Sequence, residues 1–356
     1  MSTATQTRIE NLDVSAHTIP TDEPESDGTL EWDSTTIVVV QAHAAGAVGL
    51  GYTYTHEAAA KLIEDKLAEA VRGRDAMDVA GASHAMSAAL RNIGRPGLGF
   101  MALSAVDLAL WDLKARLLEQ PLVELLDAPH ERIPVYGSGG FCSYSDERLR
   151  EQLGGWVEQG IPGVKMKVGR DPDRDRERVE AAREAVGENT ELYVDSNGAY
   201  SRGEAVAWAH VYADGYGVRW LEEPVSSDDL EGLAIVRDES PDGIEIAAGE
   251  YGDLVPYFER MAPVVDCLQA DVTRCGGITG LLDVAAVAEA HGRQLSGHCA
   301  PAISAHAFCA VGCVRHLEYF HDHVRIEHML FDGVPEPVDG VLEPDRSRLG
   351  NGLELR

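Results

Sequence analysis

From about residue 134 onward, short apolar segments recur about every 20–30 residues, and this rhythm restricts the fold more than any other feature of the chain. In order they are PVYGSGG (134–140), GVKMKVG (163–169), ELYVDSN (191–197), VRWLEEP (218–224), EIAAGE (245–250), VVDCLQAD (264–271), QLSGHC (294–299) and HLEYF (316–320). Runs this short, rich in branched and aromatic residues and bounded by Gly, Asn or Pro, read as buried strands. Several of the gaps carry helical periodicity, as in ERVEAAREAV and in ITGLLDVAAVAEAHG, where Gly292 stands where a C-cap belongs. Eight strands alternating with helices predict an α/β fold, a (β/α)₈ TIM-type barrel. A doubly wound open sheet would want a glycine-rich phosphate turn after an early strand, and neither GxGxxG nor GxxxxGKS/T occurs.

The first 130 residues break the rhythm. IENLDVSAHTIP (9–20) and STTIVVVQAHA (34–44) read as strands, the second followed by a glycine-bearing turn, AAGAVGLGY. Between them PTDEPESDGTLEWD (20–33), polar and turn-rich, reads as an acidic loop carrying Trp32. Helical patterning then runs from AAAKLIEDKLAEAV to ALSAVDLALWDLKARLLEQ. The predicted organisation is an α+β capping domain over 1–130, the barrel over 131–325, and a tail over 326–356 that returns to the cap. The segment VRIEHMLFDGVPEPVDG within that tail reads as strand and turn.

The formal net charge of −30 argues against nucleic acid as a partner, because such binding needs Lys and Arg on one face. The acids are spread along the chain, which suits the solvated surface of a halophilic protein. No apolar run approaches the roughly 18 residues of a membrane span. The opening MSTATQTRIENLDV lacks the basic start and apolar stretch of a secretory signal, so the expected location is cytoplasmic. Six cysteines without a CxxC pair read as small buried hydrophobes rather than disulfides or a zinc site. HDHVRIEH (321–328) fits no zinc spacing and reads as a solvated segment.

Chemistry concentrates at the C-terminal ends of the predicted strands, where a barrel of this kind carries its active site. Those ends deliver Lys165 and Lys167, Asp195 and Asn197, Glu222 and Glu223, Glu250, Asp271, His298 and Glu318. Asp195, Glu222 and Glu250 stand on consecutive strands. Carboxylates crowded without a cation would repel one another, and hard oxygen donors suit Mg²⁺ better than zinc. Lysine is otherwise scarce, with only Lys61, Lys66 and Lys114 elsewhere, so the pair at 165 and 167 reads as functional. Both point to one face of their strand, and mutual repulsion should lower one pKa, making Lys167 a general base. Asp271 can accept from one ring nitrogen of His298 and fix its tautomer. A base on each side of a carboxylate held on Mg²⁺ points to removal of an α-proton, with the metal neutralising the enediolate. Glu318, if protonated, could donate to the second carboxylate oxygen.

These motifs resemble the enolase superfamily, and within it the mandelate racemase subgroup, over almost the whole chain. SAVDLALWDLKARLLEQPL resembles the family's cap-to-barrel segment, and KMK its Lys-x-Lys motif. DSNG, LEEP and AAGE resemble its three metal-ligand motifs. DVTRCGGITG and GHCAPAISAH resemble its strand-six and strand-seven motifs, and LE at 317–318 its strand-eight glutamate. The resemblance implies Asp195, Glu222 and Glu250 as metal ligands, with Lys167 and the Asp271–His298 pair as opposed bases. It further implies Lys165 as an electropositive neighbour of the substrate carboxylate, Glu318 as an electrophilic acid and Asn197 as a substrate contact. It also implies a homo-oligomer acting on a small carboxylate substrate, a hydroxy acid or sugar acid. The muconate-lactonising subgroup has a lysine where this chain has Asp271, which argues against cycloisomerase and dipeptide epimerase activity. The expected reaction is dehydration of a sugar acid, aldonate or aldarate, to a 2-keto-3-deoxy acid. The alternatives are a two-base racemase or epimerase of a 2-hydroxy acid, and a catalytically silent acid-binding protein on the same fold.

Overall fold

The structure is a computed structural model that describes residues 7–356; the first six residues of the opening segment lie outside it. Eight parallel strands close into a barrel: β4 (Ile133–Gly139), β5 (Gly163–Lys167), β6 (Glu191–Asp195), β7 (Val218–Glu222), β8 (Glu245–Ala248), β9 (Cys267–Ala270), β10 (Gln294–Gly297) and β11 (Val314–Phe320), numbered after three cap strands. Each pairs with the next, and β11 returns to β4, with Leu317 opposite Val135 and Glu318 opposite Tyr136. A helix follows every strand, so the expected (β/α)₈ architecture is present.

The barrel interior explains how a chemical site forms at its mouth. Tyr136, Tyr193, Trp220, Ala247 and Cys267 form a buried cluster inside it, and His316 packs against the Tyr136, Tyr193 and Trp220 rings. Side chains alternate along a strand, so the residue two positions on faces the same way. Two positions beyond Tyr193 is Asp195, beyond Trp220 is Glu222, and beyond His316 is Glu318. The aromatic layer therefore forms the floor on which the acidic layer stands, and Lys165 Nζ lies 5.4 Å from the Tyr136 ring centre.

The cap opens with an antiparallel sheet of β1 (Asn11–Ser26), β2 (Glu31–Ala44) and β3 (Ala47–Tyr54). The run IVVV in β2 is continuous rather than alternating because both faces are covered. Ile37 and Val39 join the barrel-side core, while Val38 and Val40 pack with the cap helices. Gly49 and Gly51 let the helix Leu98–Leu117 approach closely; a Cβ at either would lie 2.2–2.3 Å from the Ala109 or Ala105 carbonyl oxygen.

Four expectations about local structure are corrected. The acidic stretch 20–33 is no loop: β1 runs through Ser26, only 27–30 turn, and Glu25 pairs with Trp32. Pro20 and Pro24 hide this strand from a sequence reading, yet β1 lies at the sheet edge, where a missing N–H is tolerated. The turn after β2 is confined to Ala45 and Gly46; in AAGAVGLGY, Ala44 ends β2 and Ala47 onward belongs to β3. The tail begins as a helix, His321–Leu330, not as a strand. Nor is HDHVRIEH a solvated segment: Asp322, His323, Ile326 and Glu327 are buried, and Tyr52 Oη donates to Glu327 Oε1 at 2.6 Å. The tail does meet the cap, where Asn351 Nδ2 donates to the Leu50 carbonyl at 2.9 Å. Four of the six free cysteines, Cys267, Cys275, Cys299 and Cys309, are buried as expected, whereas Cys142 and Cys313 are half-buried. Among the described residues, no helix is long and apolar enough to cross a membrane.

Candidate active site

The strand ends turn sharply to present their side chains. Asn197, Glu223, Cys299 and Ala300 all have positive φ, between 40° and 51°, and Gly249 has φ 135°. Non-glycine residues in this region cost about 1–3 kcal/mol each and persist only where the surroundings hold them. Here each lies within two residues of Asp195, Glu222, Glu250 or His298, at the end of a barrel strand.

Asp195, Glu222 and Glu250 converge as the spacing predicts. All three are buried, and one oxygen from each lies within 4.8 Å of the others. Lys165 Nζ sits 2.6 Å from Glu222 Oε1, 2.9 Å from Glu318 Oε1 and 3.7 Å from Asp195 Oδ2. Lys167 Nζ donates to Asp195 Oδ2 at 2.5 Å. Trp220 Nε1 donates to Glu222 Oε2 at 2.9 Å. Burial raises Glu222 to about 7, with Lys165 opposing and Asp195 assisting. Burial also raises Glu223, whose Oε1 has no partner.

The lysine expectation is corrected. Burial pulls Lys167 down and Lys165 adds to that, but Asp195, Glu250 and Glu222 together outweigh them, so its pKa rises. Lys165 rises too, through Glu222 and Glu318 acting against burial. A like charge two residues away is visible in sequence; the opposite charges arrive from β6, β7 and β11. The same charges act on Glu318: burial raises its pKa, while Lys165, His298 and Lys167 lower it, and the net direction is down.

On the other side of the site, Asp271 Oδ2 accepts from His298 Nδ1 at 2.8 Å, the predicted pair. Glu250 Oε2 lies 2.9 Å from His298 Nε2. Burial disfavours the imidazolium, but Cys299, Glu250 and Glu318 around it prevail, and the His298 pKa is raised well above the ordinary value.

A cavity of about 310 Å³ opens between barrel mouth and cap. Lys167, Asn197, Glu250, His298 and Glu318 line it, whereas Lys165, Asp195, Glu222 and Asp271 lie behind its wall. Asn197 lines the cavity, and its buried Oδ1 has no hydrogen-bond partner among the described residues. Sequence reasoning did not single out Tyr251, Arg274, Thr55 or Ser34–Thr36, which also line the cavity. Arg274 stands three residues after Asp271 with Nε 3.3 Å from its carboxylate, a spacing that would have flagged it. Trp32, Tyr54 and Cys299 are wall residues too.

The triad fits a hard divalent cation: three buried carboxylates, no His or Cys among them, and oxygens close enough for one ion. His298, Cys299 and Glu318 also converge, but both ring nitrogens of His298 are engaged by Asp271 and Glu250.

Comparison with known proteins agrees with this architecture. Residues 16–127 match the mandelate racemase/muconate lactonizing enzyme N-terminal domain, and 148–356 the enolase C-terminal domain-like family. The chain belongs to the mandelate racemase/muconate lactonizing enzyme family of the enolase superfamily. A mandelate racemase/muconate lactonizing enzyme-like protein from Rubrobacter xylanophilus has a crystal structure 58% identical in sequence, with a TM-score of 0.97, covering 98% of this chain and 97% of that one. The 3,6-anhydro-alpha-L-galactonate cycloisomerase of Streptomyces coelicolor is 33% identical over 345 residues, 95% of this chain and 93% of the relative. The L-talarate/galactarate dehydratase of Salmonella typhimurium is 30% identical over 333 residues, 88% and 81% of the two chains. Its crystal structure liganded with Mg and L-lyxarohydroxamate is 28% identical, has a TM-score of 0.90, and covers 100% of this chain and 93% of that one. These relatives thus include a protein named as a cycloisomerase and one named as a dehydratase.

Proposed function

We propose that this chain is a Mg²⁺-dependent enzyme that removes the proton α to the carboxylate of a sugar acid and expels a β-oxygen, giving a 2-keto-3-deoxy acid. The observation that carries the reading is the convergence of Asp195, Glu222 and Glu250 beside a cavity that Lys167 and His298 enter from different strands. Relatives named as sugar-acid dehydratase and anhydro-sugar-acid cycloisomerase support it.

Asp195, Glu222 and Glu250 would hold the ion. When bound, Mg²⁺ supplies positive charge that offsets the Asp195 carboxylate beside Lys167 and the negative charge developing on the substrate carboxylate. Lys165, fixed between Glu222 and Glu318, keeps a buried positive charge beneath the site. Lys167 takes the α-proton. His298, oriented by Asp271, returns a proton to the departing oxygen. Asn197, in the cavity wall, places its side-chain amide beside the substrate.

Dehydration and cycloisomerisation share the proton abstraction and differ in the leaving group: a free β-hydroxyl departs as water, a β-ether oxygen stays on the product. The second reading is favoured by the extent of the match to the Streptomyces cycloisomerase. A panel of sugar acids and their anhydro forms, assayed with Mg²⁺ for keto-acid product, tests both. Keto acid from at least one member is the expected result. Exchange of the α-proton with solvent and no keto acid would point to a racemase, with Lys167 and His298 passing a proton across the substrate plane. Binding with no proton exchange on any member would leave only an acid-binding protein.

A further inference from the structure

The two halves of the cavity differ in charge. Its barrel half contains every lysine and arginine in the wall, Lys167 and Arg274. Lys167 donates to Asp195, and Arg274 faces Asp271 at 3.3 Å while its Nη1 donates to the Glu250 carbonyl at 3.2 Å. Both belong to the rim where the α-carboxylate reacts. The cap half is formed by Asp27, Trp32, Ser34, Thr35, Thr36 and Thr55, among which there is no lysine, arginine or histidine. Arg170, beside the hairpin turn, is no part of the wall and directs its guanidinium to the Leu30 carbonyl at 3.0 Å and to Glu31 at 2.7 Å. His323 lines the wall with its ring stacked on Tyr54, and its Nδ1 accepts from the Ala300 N–H at 3.2 Å, as a neutral imidazole does.

We infer that the cavity takes sugar acids with a single carboxylate, aldonic acids and their anhydro forms, and rejects aldaric diacids. The inference rests on the reading above, in which the reacting carboxylate sits at the barrel rim. A diacid would then carry its second carboxylate into the cap half. There it would lose water, meet the Asp27 carboxylate and find no cation among the described wall residues, and an unpaired charge beside a like charge is strongly disfavoured. A neutral terminal hydroxyl meets the opposite situation. Ser34, Thr35 and Thr55 can each donate to it or accept from it, and the Trp32 and Phe320 rings offer apolar faces to the carbon chain. The overall charge of −30 opposes entry of a dianion more than of a monoanion. Family membership leaves the point open, since one relative is named for a monoacid and another for diacids.

The test uses matched pairs on the full chain with Mg²⁺: gluconate against glucarate, galactonate against galactarate, xylonate against xylarate. Keto-acid formation and the ligand-induced shift in Tm are read in parallel. Expected are a kcat/KM at least about 100-fold higher for the monoacid of the best pair and a Tm shift from monoacids alone. Diacids that bind or react as well as their partners overturn the inference, and so does a Tm shift from neither class. If monoacids alone shift Tm but nothing reacts, the proposed reaction fails while the charge selection stands. Thr35→Arg, with Ser34→Arg in case the first does not fold, should raise the diacid-to-monoacid ratio about tenfold or more. An unchanged ratio in both folded variants contradicts the placement of the second carboxylate.

Discussion

The barrel mouth and the capping hairpin face each other across one cavity and are built on opposite terms. At the mouth, charge is dense and mutually compensated: Lys165 holds Glu222 and Glu318, Lys167 holds Asp195, and His298 stands between Asp271 and Glu250. On the cavity face of the hairpin, hydroxyls and one indole take the place of that network, and the single carboxylate, Asp27, is occupied with its own turn. Its Oδ1 accepts from the Thr29 and Leu30 N–H groups, each at 2.6 Å. Paired buried charges are rigid and costly to disturb, which suits groups that must move a proton. Hydroxyls and an aromatic ring adapt to the shape of a ligand. The division assigns reaction to the mouth and selection to the cap.

That assignment is open to attack at several strengths. The largest effect should come from the cation: chelation with EDTA is expected to lower turnover about 10³-fold or more, with recovery on adding Mg²⁺. Activity that survives chelation would detach the chemistry from the three carboxylates. Next, Lys167→Ala and His298→Asn should each reduce kcat by about 10²–10⁴-fold while ligand still shifts Tm, since these groups act on the proton rather than on affinity. On the cap side the pattern should invert. Trp32 packs edge-on against Phe141 at 5.6 Å and donates to the buried Glu25 carboxylate at 2.8 Å. Trp32→Ala should raise KM about tenfold, the equivalent of about 1.5 kcal/mol of lost contact, and change kcat much less. A dominant fall in kcat would blur the division.

A separate effect, on stability rather than turnover, concerns the joint between the two regions. Glu327, on the helix after β11, accepts from Tyr52 of the cap and from the Ala302 N–H. Burial lifts its pKa from 4.5 to about 8, against those two hydrogen bonds. Between these values the folded chain keeps a proton that the unfolded chain has lost. The stabilisation from this group is therefore full below pH 4.5, declines as pH rises to about 8, and is flat beyond. Glu327→Gln cannot titrate, so denaturant unfolding of the two proteins should show the wild type losing up to a few kcal/mol relative to the variant across that window. Parallel pH profiles would place the proton elsewhere.

The mouth was legible in sequence and the cap was not, for physical reasons. An apolar run that ends in an ionisable residue is conspicuous, and strand alternation fixes which side chains share a face, so Asp195, Glu222, Glu250, Asp271 and His298 emerged from one dimension. Glu318 emerged too, although β11 continues two residues past it. The hairpin concealed itself because the β1 half of 20–33 has no apolar alternation. Its prolines sit at an edge, and its folded state depends on pairing with β2 and on packing of Trp32 against Phe141. The helix His321–Leu330 was misread for a related reason: His323 and Glu327 look solvent-loving, yet they are buried by partners more than 250 residues away, Tyr54 and Tyr52. The protonation of Lys167 likewise depends on charges from neighbouring strands that no local window contains.

The account turns on whether the mouth removes an α-proton with the help of a cation held by its three carboxylates. The most direct measurement is release of deuterium to water from an aldonic acid labelled at the α-carbon, followed with Mg²⁺, after EDTA, and for Asp195→Asn. The predicted result is release with Mg²⁺ that stops on chelation and falls by orders of magnitude in the variant. Product formed with the α-label retained, or release indifferent to both EDTA and the substitution, would contradict it.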